Sequence, residues 1–118
     1  MIYLATPYSH PDHAVMEARF DAACRFAGAM MARGEVVFSP IAHTHPIAVR
    51  CSLPRGWEYW CRYDREMLEA AEKLCVVMMD GWRESNGVAA EIAMAEHMGK
   101  LVEYLPYAEA GEAPEEST

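Results

Sequence analysis

No apolar run in this chain approaches the roughly 18 residues of a membrane span, so no transmembrane helix is expected. The start, MIYLATPYS, lacks the basic n-region of a secretory signal, and a cytoplasmic location is the expectation. Basic residues are scarce: 10 Lys and Arg stand against 18 Asp and Glu, a formal charge of −8. Proteins that grip a phosphate backbone need clustered Lys and Arg, so a nucleic-acid polymer is not the expected partner. Four of the acids (Glu109, Glu112, Glu115, Glu116) fall in the last stretch, so the charge deficit of the rest is milder. An anionic small ligand held by backbone N–H groups stays possible. The four cysteines show no CxxC spacing, and Cys24, Cys51, Cys61 and Cys75 are expected to be free and largely buried thiols. Neither GxGxxG nor GxxxxGK[ST] occurs, so neither dinucleotide nor P-loop binding is signalled. Internal repeats are also missing.

What is present is one modest domain's worth of chain, 118 residues with 53% apolar side chains. The most informative stretch runs from Leu74 to Gly99. Leu74 to Met79 is a short apolar run suited to a fully buried strand, ended by Asp80 and Gly81. Ser85, Asn86 and Gly87 then offer helix-cap chemistry, and a helical pattern extends to Gly99. Val88, Ile92 and Ala95 mark its buried side, and Glu91 falls on that same side. An inward carboxylate near a helix start, just past a buried strand, lies where open α/β sheets bind ligands.

Before it come a first strand, Ile2 to Ala5, and a polar turn carrying Tyr8, Ser9 and His10. A helix capped by Asp12 runs to about Arg33, with Val15, Ala18, Ala22, Phe26, Ala29 and Met30 as its apolar stripe. Glu35 to Phe38 reads as the second strand, closed by Ser39 and Pro40. From Ile41 to Gly56 the pattern is irregular, with Pro46 and Pro54, and a binding loop is expected. In an extended segment His43 and His45 would share a face, contacting a polar ligand or solvent. No third ligand at sensible spacing joins them, so neither a metal nor a cofactor is expected. Trp57 to Lys73 reads as a helix whose apolar stripe is interrupted by Asp64, which must find partners or change protonation state. Lys100 to Leu105 gives a last strand, and residues 106–118 read as an acidic, flexible tail beyond a domain of residues 1–105.

Strands alternating with helices make this an α/β chain: a Rossmann- or flavodoxin-like parallel sheet of four to five strands, order 2-1-3-4, flanked by helices. Tyr3 through Ser9, the segment after Pro40, Asp80 and the Ser85 helix start would then meet at one cleft. Two inward carboxylates, Glu91 and Asp64, suit chemistry at a glycosidic bond, one attacking or stabilising the anomeric carbon and the other handling protons. Tyr3 could hydrogen-bond the nucleophile, while Ser85, Asn86 and the backbone at Gly87 could cradle a phosphate.

The segments IYLA (residues 2–5), FSP (38–40), YD (63–64) and SNGVAAEIAMA (85–95), in that order and spacing, resemble the nucleoside 2-deoxyribosyltransferase superfamily. Within it, SxGxxxE is similar to the branch of nucleoside 5′-monophosphate N-glycosidases. The resemblance implies that Glu91 attacks C1′ of the sugar, that Tyr3 orients it, and that Asp64 helps to protonate or bind the departing base. It places Ser85 where transferases carry a carboxylate, a change that suits a phosphate dianion by removing like-charge repulsion. It implies a nucleotide or nucleoside as partner, a homodimer or larger assembly, and hydrolysis as the reaction. Deoxyribosyl transfer and nucleotide sensing without turnover are the alternatives.

Overall fold

The computed structural model describes residues 1–108; the acids of the expected tail, from Glu109 on, lie outside them. The elements are β1 (Ile2–Ala5), α1 (His13–Ala32), β2 (Val37–Phe38), α2 (Pro40–Cys51), α3 (Trp57–Ala70), β3 (Lys73–Val77), α4 (Asn86–His97) and β4 (Leu101–Leu105). They form one four-stranded sheet of order β2-β1-β3-β4 in which every neighbouring pair is parallel. Four helices flank it.

A parallel sheet must be covered on both faces, and the alternation along the central strands does this. Ile2, Leu4, Cys75 and Val77 point to one layer, where Phe26, Ala27 and Met30 of α1 meet them. Tyr3, Ala5, Leu74 and Val76 point to the other, against Leu68 of α3 and Val88 and Ala95 of α4. β1, and β3 from Leu74 on, therefore read as unbroken apolar runs. Among the described residues no helix is long and apolar enough to cross a membrane.

Local chemistry explains the boundaries. The Asp12 carboxylate accepts from Ala14 N at 2.9 Å and opens α1. Gly34, at φ +89°, reverses the chain after α1, and Glu35 N still bonds Met30 O at 3.2 Å. Glu35 and Val36 are thereby drawn into the turn, and β2 is shorter than the sequence pattern suggests. The buried face of α1 is also rotated from the expected stripe: Met16 and Ala23 are buried while Ala18 is exposed. α3 ends at Ala70, so Lys73 opens β3 instead of closing a helix.

The largest departure is α2. The segment after Pro40, expected as a loop, is a helix of 12 residues with Pro46 inside it. Ser39 caps it, accepting from Ala42 N at 3.3 Å, and Pro40 fits the first turn, where no N–H is needed. Pro46 sacrifices one interior hydrogen bond, and packing of α2 on α1 offsets that loss. The helix stops at Ser52, which takes a left-handed conformation at φ 54°.

All four cysteines are free, but only Cys75 is buried. Cys24 and Cys61 are half-exposed and Cys51 is on the surface, because each sits on the flank of an amphipathic helix. Tyr107, placed by sequence in the tail, instead stacks on Phe26 with ring centroids 6.3 Å apart.

Candidate functional site

Beyond the carboxyl ends of β1 and β3 lies a cavity of about 220 Å³. Open α/β sheets bind ligands at such a position, where the strand order reverses between neighbours. Its walls come from the turn after β1, from α2, from α3 and from the start of α4. Ligand pockets usually span roughly 300–1,000 Å³. This one can enclose part of a small ligand while the remainder occupies the mouth.

Two carboxyls, Glu91 and Asp64, reach its floor, with the Tyr3 hydroxyl behind them. Tyr3, on β1 and wholly buried, donates its hydroxyl hydrogen to Glu91 Oε2. Glu91 comes from the second turn of α4, and Asp64 from the middle of α3; both are buried, and both reach the cavity surface. Asp64 approaches the same hydroxyl, but that group's one hydrogen is given to Glu91, and Asp64 Oδ1 has no hydrogen-bond partner.

Burial sets their protonation. Desolvation pushes Glu91 up to about 8; the Tyr3 hydrogen bond opposes this and the Asp64 charge adds to it. Asp64 is pushed up to about 7, again by desolvation, against the help of Tyr3. Burial and the two carboxyls raise the Tyr3 hydroxyl far above its ordinary range, so it serves only as a neutral donor. Near neutrality the carboxyl pair holds at least one proton and can exchange it readily. That is the state required of a nucleophile with a proton carrier beside it.

The rim is the start of α4. Ser85 Oγ caps the helix by accepting from Val88 N at 3.1 Å, which leaves its O–H free to donate. Asn86 and Gly87 also line the cavity. A Cβ at Gly87 would come no closer than 3.8 Å to Ser85 Oγ or Trp57, so packing alone does not demand glycine there. Glycine does let a ligand approach the backbone closely. The unpaired N–H groups and dipole of this helix start favour an anion.

Of the other residues singled out by sequence, Tyr8, Ser9 and His45 line the cavity. Asp80 does not. Gly81, at φ +91°, turns the chain, and Asp80 faces a shallow groove against Ala14, Val15 and Tyr107. Pro40 is sealed in as the first residue of α2. His43 and His45 share no face, because two residues on a helix are separated by about 200°. His43 is exposed and bonds Tyr63 Oη through Nε2 at 2.9 Å, whereas His45 is buried between α1 and the cavity. Among the described residues no group of three or more His, Cys, Asp and Glu side chains could hold a metal.

Sequence reasoning missed several lining residues. Trp57 and Trp60, assigned to a core stripe, are only half-buried and form an aromatic wall. Arg55 and Glu84 bring one charge of each sign to the cavity. Thr6, inside the Tyr3-to-Ser9 stretch expected at the cleft, is buried there with an unpartnered Oγ1. Tryptophans three apart on a short helix gave the only available hint.

A family model with the description "Domain of unknown function (DUF1937)" matches residues 1–106. No curated protein matches the chain.

Proposed function

The chain belongs to the family described as Domain of unknown function (DUF1937), and we propose that its cavity cleaves the base–sugar bond of a nucleoside 5′-monophosphate. The observation that carries this reading is the Tyr3 hydrogen bond to Glu91, made beside Asp64 at the cavity floor. Glu91, as carboxylate, attacks C1′ while the bond to the base breaks, and the electron pair leaves with the base. The resulting glycosyl ester is opened by water, which returns Glu91 to its starting form. Tyr3 fixes one oxygen of the nucleophile, so the other is aimed at the sugar. For this attack the proton shared by the two carboxyls passes to Asp64 when substrate binds, which also spares Glu91 a neighbouring negative charge.

Ser85, Asn86 and the Gly87 backbone bind the 5′-phosphate at the helix start, and the Arg55 guanidinium also lines the cavity. Trp57 and Trp60 form the aromatic wall on the α3 side of this cavity. No cofactor enters the scheme. The resemblance in the IYLA, FSP, YD and SNGVAAEIAMA segments supports the same assignment, with deoxyribosyl transfer as the variant in which a second base intercepts the ester. β4 leaves Leu101 and Tyr104 exposed on the sheet edge, a surface suited to a homodimer.

One observation favours a binding-only module instead: with Glu91 pushed up to about 8, burial holds this carboxyl mostly protonated at neutral pH. The experiment is free-base release from a panel of ribo- and deoxyribonucleoside monophosphates and their nucleosides, measured by chromatography beside Glu91→Gln. Release from monophosphates by the wild type alone supports the hydrolase. Ligand binding by both proteins with release by neither supports the sensor.

A further inference from the structure

We propose that Tyr8, His45 and Glu17 form a proton-delivery chain serving the departing base, separate from the carboxyl pair that serves the sugar. The inference rests on the glycosidase reading above and adds to it the group that protonates the leaving atom. The Tyr8 hydroxyl, in the turn after β1, bonds His45 Nδ1, and His45 Nε2 lies 2.8 Å from Glu17 Oε1 on α1. The His45 side chain is 3% exposed and that of Glu17 61%. A buried imidazole with both nitrogens engaged thus links a phenol on the cavity wall to a carboxylate in water. Phe20 packs against the ring with centroids 4.3 Å apart, and Tyr8 meets it edge-on at 5.4 Å. Arg19 holds the Tyr8 turn through the Tyr8 and Ser9 carbonyls at 3.4 and 2.9 Å. The charged groups facing this chain are Glu17 and Arg19 from α1 and Arg55 from the segment after α2.

Placement selects this chain over Asp64. A carboxylate nucleophile approaches C1′ from the side opposite the base. Asp64 is grouped with Glu91 around the Tyr3 hydroxyl, on the wall made by α3 and α4. The other wall is made by α2, which packs on α1, and by the turn carrying Tyr8. A base departing on the side away from Glu91 and its neighbour Asp64 takes its proton from another lining group, and Tyr8 is the one backed by a buried imidazole.

The protons balance. With His45 as imidazolium, Nε2–H faces the Glu17 carboxylate, Nδ1–H is donated to the Tyr8 oxygen, and the phenol O–H points into the cavity. As the C1′–N bond breaks, the phenol proton passes to the base nitrogen and the Nδ1 proton refills the phenol. When water opens the Glu91 ester, its proton returns through Tyr8 to Nδ1 as the carboxylate leaves. Base, sugar and enzyme end with the protons that one water supplies.

The test compares two leaving groups on the full chain. A nucleoside 5′-monophosphate needs its base protonated; a 4-nitrophenyl pentoside 5-phosphate releases a stable anion and needs no proton. General acid catalysis contributes about 10²–10⁴-fold. Tyr8→Phe is therefore expected to lose about 10²–10³-fold in kcat on the nucleotide and only a few-fold on the nitrophenyl substrate. Glu17→Gln, acting through His45, shows the same split at smaller size. Equal losses on both substrates, or no loss on the nucleotide, would overturn the proton chain while leaving the glycosidase standing. Failure of the wild type to cleave either substrate would remove the glycosidase reading and this assignment together.

Discussion

Replacing Glu91 by glutamine should make the protein more stable while it abolishes turnover. The Glu91 carboxyl is raised from an ordinary 4.5 to about 8 on folding, by desolvation first. A carboxyl whose folded value lies above its unfolded one binds more protons in the folded state between those two values. Wild-type stability must therefore fall as pH rises from 4.5 toward 8, with no contribution below that window. Each pH unit within the window costs about 1.4 kcal/mol, which gives roughly 3 kcal/mol at pH 7 and approaches roughly 5 above pH 8. Glutamine has no charge to lose. It still accepts the Tyr3 hydrogen bond, and its buried N–H has Asp64 Oδ1, otherwise unpartnered, as a neighbouring acceptor. Burying that amide returns part of the gain, so the expected net stabilisation is about 1–3 kcal/mol at pH 8. Urea unfolding of both proteins at pH 5 and pH 8 measures this. The two curves should nearly coincide at pH 5 and separate at pH 8. Asp64 shifts in the same direction, from 3.8 to about 7. Asp64→Asn should thus also flatten the pH dependence, and the double variant should gain less than the sum because the two charges are coupled. Equal pH slopes for wild type and Glu91→Gln would refute the argument, since Glu91 would then be as ionised in the folded protein as in the unfolded chain.

Two further outcomes follow from the same geometry. Tyr3→Phe removes the one hydrogen bond that holds Glu91 toward its charged form; base release at pH 7 should fall about 10–100-fold, with part of the loss recovered at higher pH, as a rate–pH profile would show. An unchanged profile would mean that Tyr3 does not tune the nucleophile. Ser85→Asp puts a carboxylate at the helix start and should raise KM for monophosphates at least tenfold while altering unphosphorylated nucleosides little; equal effects on both would remove Ser85 from the phosphate site.

The sheet was readable because buried parallel strands leave a strong trace: apolar runs at Ile2 and Leu74, each ended by polar turn residues, allow few topologies. The caps at Asp12 and Ser85 were readable for a similarly local reason. The meeting of Tyr3, Asp64 and Glu91 followed once strand order was known, since polar side chains on otherwise apolar faces must find one another. The helix α2 was hidden because Pro46 argues against a helix, and only tertiary packing on α1 overrides it. That error carried over to His43 and His45, which were paired on an extended face and in fact diverge on a helix. Asp80 was misplaced by Gly81, whose positive φ redirects the chain after β3. The link from Glu17 through His45 to Tyr8 brings α2 back onto the turn before α1 and the start of α1, with His45 28 residues from Glu17 and 37 from Tyr8. No local pattern announces it.

The most direct test of the central claim is the stereochemistry of cleavage. In the presence of methanol, a glycosyl ester on Glu91 is intercepted from the face the base has left, and the methyl pentoside 5-phosphate forms with retained configuration at C1′, readable by NMR. The account predicts retention. Inversion would mean that solvent displaces the base directly, and that Glu91 is not the nucleophile.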